Sequence, residues 1–272
     1  MFGPGRAHLV SGSFVTEAPL LENLGRRTLA VMEGTGRYST LVLRAFAAIF
    51  RRPFEWRELF KQLESVGVAS FPVVAVTCIF TGMVFTLQTY DGFARFQAES
   101  YVPGILGVAL LRELAPVLGG MMMAGRVGSA MAAELGTMRV TRQIDAMEVM
   151  ATDPIQFLVV PRLLATTLML PLLITLGDLI GLGGGWYLIN HILNAPMPGF
   201  FDRVFEFLEP FDYWSGIVKS TVFGAIIASV GCYTGLNTQG GAEGVGKNTT
   251  AAVVNASLGI LVTDFFLTKV LT

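Results

Sequence analysis

Residues 102–127 read VPGILGVALLRELAPVLGGMMMAGRV, and their reading decides the architecture. The run exceeds the roughly 20 predominantly apolar residues that cross a hydrocarbon core. Its only charges are Arg112, Glu113 and Arg126. An ionisable pair in the middle of such a run is costly unless it faces a bundle interior or a cavity, so this span needs neighbours. Composition agrees. Of 272 residues, 53% are hydrophobic and 14% charged, with a mean hydropathy of +0.60, too apolar for an ordinary soluble domain. The expected fold class is an all-α integral membrane protein.

Outward from this stretch, four more runs satisfy the length requirement: 66–90, 155–192, 214–236 and 250–271. Pro161 and Pro171 should bend or break the third span. Asp153 followed by Pro154 reads as an N-cap with proline at the first helical position, and Asp212 as the cap of a helix opened by Tyr213 and Trp214. Residues 20–50 are interrupted by Arg26, Arg27, Glu33, Arg37 and Arg44, which suits one or two helices lying along the membrane surface, with partial insertion around 41–50. The first 20 residues lack the apolar core and small-residue cleavage site of a signal peptide. The expected organisation is an interfacial N-terminal segment, 1–64, and a five-span domain, 65–272, with a cytoplasmic loop at 128–154.

Of the 19 Lys and Arg residues, fourteen fall on one side of this arrangement and Arg95, Arg203 and Lys269 on the other. The positive-inside rule then places the N-terminus in the cytoplasm and the C-terminus outside. Gly177, Gly181 and Gly185 form overlapping GxxxG patterns, and Gly128, Ala132 and Gly136 repeat the small-residue spacing; both suit close helix contact within one chain or between two.

A net charge of −1 and the lack of a basic cluster exclude a nucleic-acid footprint. Cys78 and Cys232 sit in apolar runs and behave as small hydrophobes. His8 and His191 are far apart, without ligand-spaced neighbours. GAEGVGK at 241–247 has P-loop glycine spacing, but Asn248 replaces the required Ser or Thr and no strand precedes it; it reads as a flexible cytoplasmic turn. The glycosylation-like triplets at Asn248 and Asn255 fall in cytoplasmic and intramembrane positions. No cofactor or catalytic site is expected.

Charges inside the spans are the informative ones: Arg112, Glu113, Asp178, Lys219 and Asp264. Either Arg112 or Lys219 neutralises carboxylates across helices, or the charges form a polar patch that meets a lipid headgroup. Arg112 and Glu113 favour the patch, because adjacent helical residues point about 100° apart. In the loop, Val140, Ile144, Met147 and Ala151 recur at helical spacing opposite Arg139, Arg142, Gln143, Asp145 and Glu148. This amphipathic helix either lies on the membrane or docks a cytoplasmic partner. The in-span charges leave a self-contained transporter or channel open, and Arg112-Glu113 with Asp264 leave a lipid-modifying enzyme open.

Four blocks resemble the MlaE/YrbE permease family. They are Gly82-Met83-Val84 with Leu87-Gln88 and Tyr90, and Leu111-Arg112-Glu113-Leu114-Ala115-Pro116-Val117. The third runs from Ala124-Gly125-Arg126-Val127-Gly128-Ser129-Ala130 through Glu134-Leu135-Gly136-Thr137-Met138 to Met147-Glu148-Val149-Met150-Ala151-Thr152-Asp153-Pro154, and the last ends in Asp264-Phe265-Phe266-Leu267-Thr268. Arg142-Gln143 stands where the family tends to have Glu-Gln. The resemblance implies a homodimeric, ABC-permease-like subunit in the inner membrane, joined to two cytoplasmic ATPase subunits that hydrolyse the ATP. It further implies an MCE-domain lipid-binding partner outside, with a small cytoplasmic STAS-type subunit as an additional partner. It makes 134–148 the coupling element, with Glu134, Met138, Arg139, Gln143, Met147 and Glu148 facing the ATPase. It also implies a phospholipid cavity between the two permease chains, lined by Tyr90, Arg112 and Glu113.

Overall fold

The computed structural model describes residues 18–49, 55–195 and 197–271. Every regular element among them is a helix. We label these α1 (Ala18–Ile49), α2 (Trp56–Gly67), α3 (Phe71–Ala94), α4 (Glu99–Val140), α5 (Gln143–Val149), α6 (Ile155–Ile192), α7 (Phe200–Phe207), α8 (Pro210–Leu236) and α9 (Gly241–Leu271). The chain divides into two units, Met1–Leu43 and Arg44–Thr272. The first unit holds the start of α1, where Leu29 and Met32 are exposed and Arg37 pairs with Glu33 one turn away.

In the second unit, five helices are long and apolar enough to cross a membrane, confirming an all-α integral membrane protein. The central pair is α6 and α8, the most buried of the five; α3 packs on α6, while α9 and the second half of α4 pack on α8. The outer helices α3 and α9 leave large apolar side chains uncovered within the chain, among them Val76 and Phe80 on one and Leu258 and Phe265 on the other. Without a hydrophobic drive between helices in lipid, close approach has to come from small residues. A Cβ on Gly82 of α3 would fall on the backbone of Gly181 in α6, and one on Gly231 of α8 would lie 2.9 Å from the Gly128 carbonyl oxygen in α4. Both small-residue stripes are thus spent on contacts inside this chain.

Several expected boundaries are corrected. The second span does not end near residue 127: α4 continues to Val140, because Met131, Ala132, Leu135 and Gly136 bury against α8 and α9. The chain turns only at Thr141 and Arg142, the latter in the left-handed region at φ 59°. The expected amphipathic helix shrinks to α5, and of its apolar face only Ile144 is buried; Val140 belongs to α4 and is exposed, Met147 is half-buried, and Ala151 is exposed at φ 58°. Residues 241–247 are not a flexible turn but the first turns of α9. The turn is confined to Gly240 and Gly241, at φ 89° and 68°, and the long apolar segment downstream carries the helix back to them.

Pro161 and Pro171 do not break α6. Pro161 sits where the π-helical turn Ile155–Val159 passes into the α-helical part. Asp153 Oδ1 does accept the Ile155 N–H at 3.0 Å, as a cap should. Asp212 is not the cap of α8. That position is Glu209, and Asp212, three residues on, accepts the Glu209 N–H at 2.9 Å in a capping box.

Candidate functional site

Two stretches of α4 widen into π-helical turns, Leu110–Leu114 and Ala124–Gly128. Such turns recur at functional sites, and the first carries Arg112 and Glu113. Pro116 has no N–H to offer the Arg112 carbonyl four residues earlier. Lys219 of α8 supplies the missing donor, its Nζ lying 3.1 Å from that carbonyl oxygen.

Lys219 is 1% exposed and gathers three helices. Its Nζ is 2.7 Å from Glu113 Oε1 on α4 and 3.2 Å from Asp264 Oδ1 on α9, and it donates to Thr268 Oγ1 at 2.7 Å. Thr268 in turn donates to Glu113 Oε1 at 3.1 Å. Asp264 thus shares the Lys219 ammonium with Glu113. Arg112 turns the other way and pairs through Nε with Asp212 Oδ1, the buried carboxylate that also accepts the α8 N-terminal amide.

Both cations are therefore neutralised across helices, as the pairing reading expects. The Arg112 and Glu113 side chains nonetheless stay 35% and 39% exposed. They open on a hollow of about 230 Å³ that also touches Phe211, Lys219 and Thr268. The arrangement is a fixed ionic lattice with one open face, able to offer a guanidinium and a carboxylate edge to a polar headgroup while its buried members stay paired. Tyr90, half-buried near the end of α3, does not line this hollow. Sequence reading missed Asp212, taken for a cap alone, and Thr268. A carboxylate just inside an apolar span was the available signal for the first; nothing local marked the second.

The 134–148 segment is built differently from the expected loop. Glu134 lies on helical α4 and its Oε2 meets Arg162 Nη2 of α6 at 2.8 Å. Arg162 is 1% exposed and also donates to the Leu158 carbonyl at 2.8 Å. Arg139 crosses the turn to Asp145 at 2.6 Å. Met138 is half-buried on the last turn of α4, while Gln143 and Glu148 face outward on α5. The apolar tip is Val149 and Met150, 88% and 69% exposed, which the periodicity reading passed over.

Five apolar helices, three of them joined by a buried ionic lattice, define a multi-pass helical membrane protein. Residues 59–270 match the family model described as Permease MlaE. A probable ABC transporter permease protein of Rickettsia bellii is 43% identical over 250 residues, covering 92% of this chain and 96% of that one. A second, from Synechocystis, is 44% identical over 222 residues, covering 82% of this chain and 84% of its own. The Arabidopsis thaliana chloroplastic protein TRIGALACTOSYLDIACYLGLYCEROL 1 is 40% identical over 221 residues, 81% of this chain and 63% of its own. The chain belongs to the MlaE permease family.

Proposed function

We propose that the chain is the membrane subunit of an ABC transporter that moves phospholipid, working as a homodimer with a separate cytoplasmic ATPase and an MCE-domain protein on the outer side. The observation that carries the reading is the Lys219-centred lattice, which holds Arg112 and Glu113 at a half-open polar edge inside the membrane domain of a family permease. Relatives named ABC transporter permeases support a partner that hydrolyses the nucleotide. The Arabidopsis relative, whose name contains that of a galactolipid, supports lipid as the cargo class. In this reading the uncovered apolar face of α9 meets a second copy, and Tyr90, Arg112 and Glu113 border the lipid space between copies. The organisation is an interfacial segment at 1–64 and a permease domain at 65–272, in an inner membrane, with the N-terminus cytoplasmic and the C-terminus periplasmic.

The ATPase-facing surface is the turn at 141–142 with its flanks: Met138, Arg139, Gln143, Met147 and Glu148, with a small STAS-type subunit as an additional cytoplasmic partner. Glu134 sits at its edge and is engaged by Arg162. Isolation of the complex in native lipid followed by mass spectrometry tests all of this together. A nucleotide-binding subunit, two copies of this chain and bound phospholipid are expected. A chain that comes out with no nucleotide-hydrolysing partner and still moves lipid alone would sink the proposal.

A further inference from the structure

Of the five spans, α9 is the least buried within the chain, and its apolar run at 250–271 is interrupted by Asn255. That side chain is exposed and makes no hydrogen bond among the described residues. Asn248, two turns earlier, is used within the chain: it donates to the Thr234 carbonyl at 3.1 Å and to Thr238 Oγ1 at 2.9 Å. Asn255 lies about 12 Å along the helix from Lys247, the last charged residue before the run. Lipid tails offer an amide neither donor nor acceptor, and a side chain this short cannot reach back to water as lysine does.

The residues beside it narrow the choice of partner. From Asn255 the exposed side chains step forward by three and four, through Leu258, Val262 and Phe265, while Ala252, Ala256 and Ile260 are buried on the opposite face. That alternation is the seam of two helices packed side by side, the commonest arrangement in membrane bundles too. Apolar neighbours on the seam do not suit a wet cavity. Copies of one membrane protein share one topology, so two α9 helices related by a two-fold axis along the membrane normal run parallel, and residues near the axis meet their own counterparts. An amide carries both a donor and an acceptor and is its own complement, whereas a carboxylate or an ammonium there would repel itself. Lys269 continues the stripe, but it is exposed at the end of α9, and its long stem lets the ammonium swing to water.

We propose that Asn255 joins two copies of this chain, each amide donating to the amide oxygen of the other, with Leu258, Val262 and Phe265 packing along the same seam. The pair fixes the register of the two α9 helices, because a slip of one turn leaves both amides in lipid. The inference rests on the homodimer reading above and names the contact that sets its geometry.

The test has two arms. In native membranes under mild oxidation, Asn255→Cys and Val262→Cys should each give a disulfide-linked pair of this chain. Leu261→Cys, equally exposed but about 100° round the helix from Val262, should scarcely do so, and the parent, whose Cys78 and Cys232 are buried, should not. In phosphatidylcholine vesicles, energy transfer between labelled full-length chains, followed as lipid is added, reads their association. Asn255→Leu should weaken it about tenfold, the scale of an interhelical hydrogen-bonded pair in a bilayer, and Asn255→Gln should recover most of the loss. Association unweakened by Asn255→Leu, disulfides formed equally at 261 and 262, or Asn255→Cys captured by a different subunit would each overturn the assignment. A pair linked through Phe80→Cys on α3 and never through Asn255→Cys would overturn it while leaving the homodimer standing; a single copy of this chain per complex by mass spectrometry would remove both.

Discussion

Lys219 Nζ lies 2.7 Å from Glu113 Oε1 across the α8–α4 contact, and the same nitrogen is 3.2 Å from Asp264 on α9, so one buried cation serves two carboxylates. Removing one partner from a buried ionic group leaves uncompensated charge, whereas removing all members together can be nearly neutral. Lys219→Met is expected to cost about 3 kcal/mol of stability by this argument, and the triple variant with Glu113→Gln and Asp264→Asn to recover most of it. Melting curves of the purified chain check the comparison. A single variant as stable as its parent would mean that the lattice is not held by charge.

Asp212 has two tasks, which can be separated. Asp212→Asn keeps an acceptor for the Glu209 N–H but loses the charge facing Arg112, while Asp212→Ala loses both. The alanine variant should be the less stable by about 1 kcal/mol, the usual worth of an N-terminal capping contact. Equal melting temperatures would show that the capping bond contributes nothing.

The α3–α6 contact depends on the absence of a side chain at one position. Gly82→Ala would drive a methyl into the Gly181 backbone, which cannot rotate away, whereas Gly183→Ala meets nothing within 4 Å. The first should cost about 1–3 kcal/mol, as overpacking does. The second, at an open helical position, should be neutral or slightly stabilising. Thermal unfolding of the two variants side by side gives the answer.

Glu134 and Glu148 are expected to differ in kind. Glu134 neutralises Arg162, which is 2% exposed at its side chain, but is itself 57% exposed, so solvent tempers the pair. Glu134→Ala should lower stability by about 1–2 kcal/mol. Glu148→Ala should leave the melting temperature in place and, if the ATPase docks on this turn, reduce the ATPase activity of the assembled complex. A Glu148 variant that destabilises the isolated chain would assign that residue an internal role instead.

Five spans could be read from run length alone, because hydrocarbon thickness sets a requirement that each segment meets by its own composition. The charges worth attention were legible for the same reason: a lysine at 219 or an aspartate at 264 is conspicuous in an apolar run. Less legible were the ends of helices. The extension of α4 to Val140 and the start of α9 at Gly241 run through sequences that look like loops; packing on α8 and α9 holds the first helical, and the long apolar segment downstream carries the helix back through the second. The amphipathic pattern at 140–151 failed because Arg142 turns the chain near its start and Ala151 at its end, left-handed residues no periodicity announces.

Local composition therefore determined that this chain crosses a membrane five times and which charges it carries inside. Tertiary structure alone decided how those charges are spent: Arg112 on a residue that looked like a cap, and Arg162 on Glu134 of another helix. Pairing depends on which helix faces come together, and partners some hundred residues apart leave no trace in the spacing of either one.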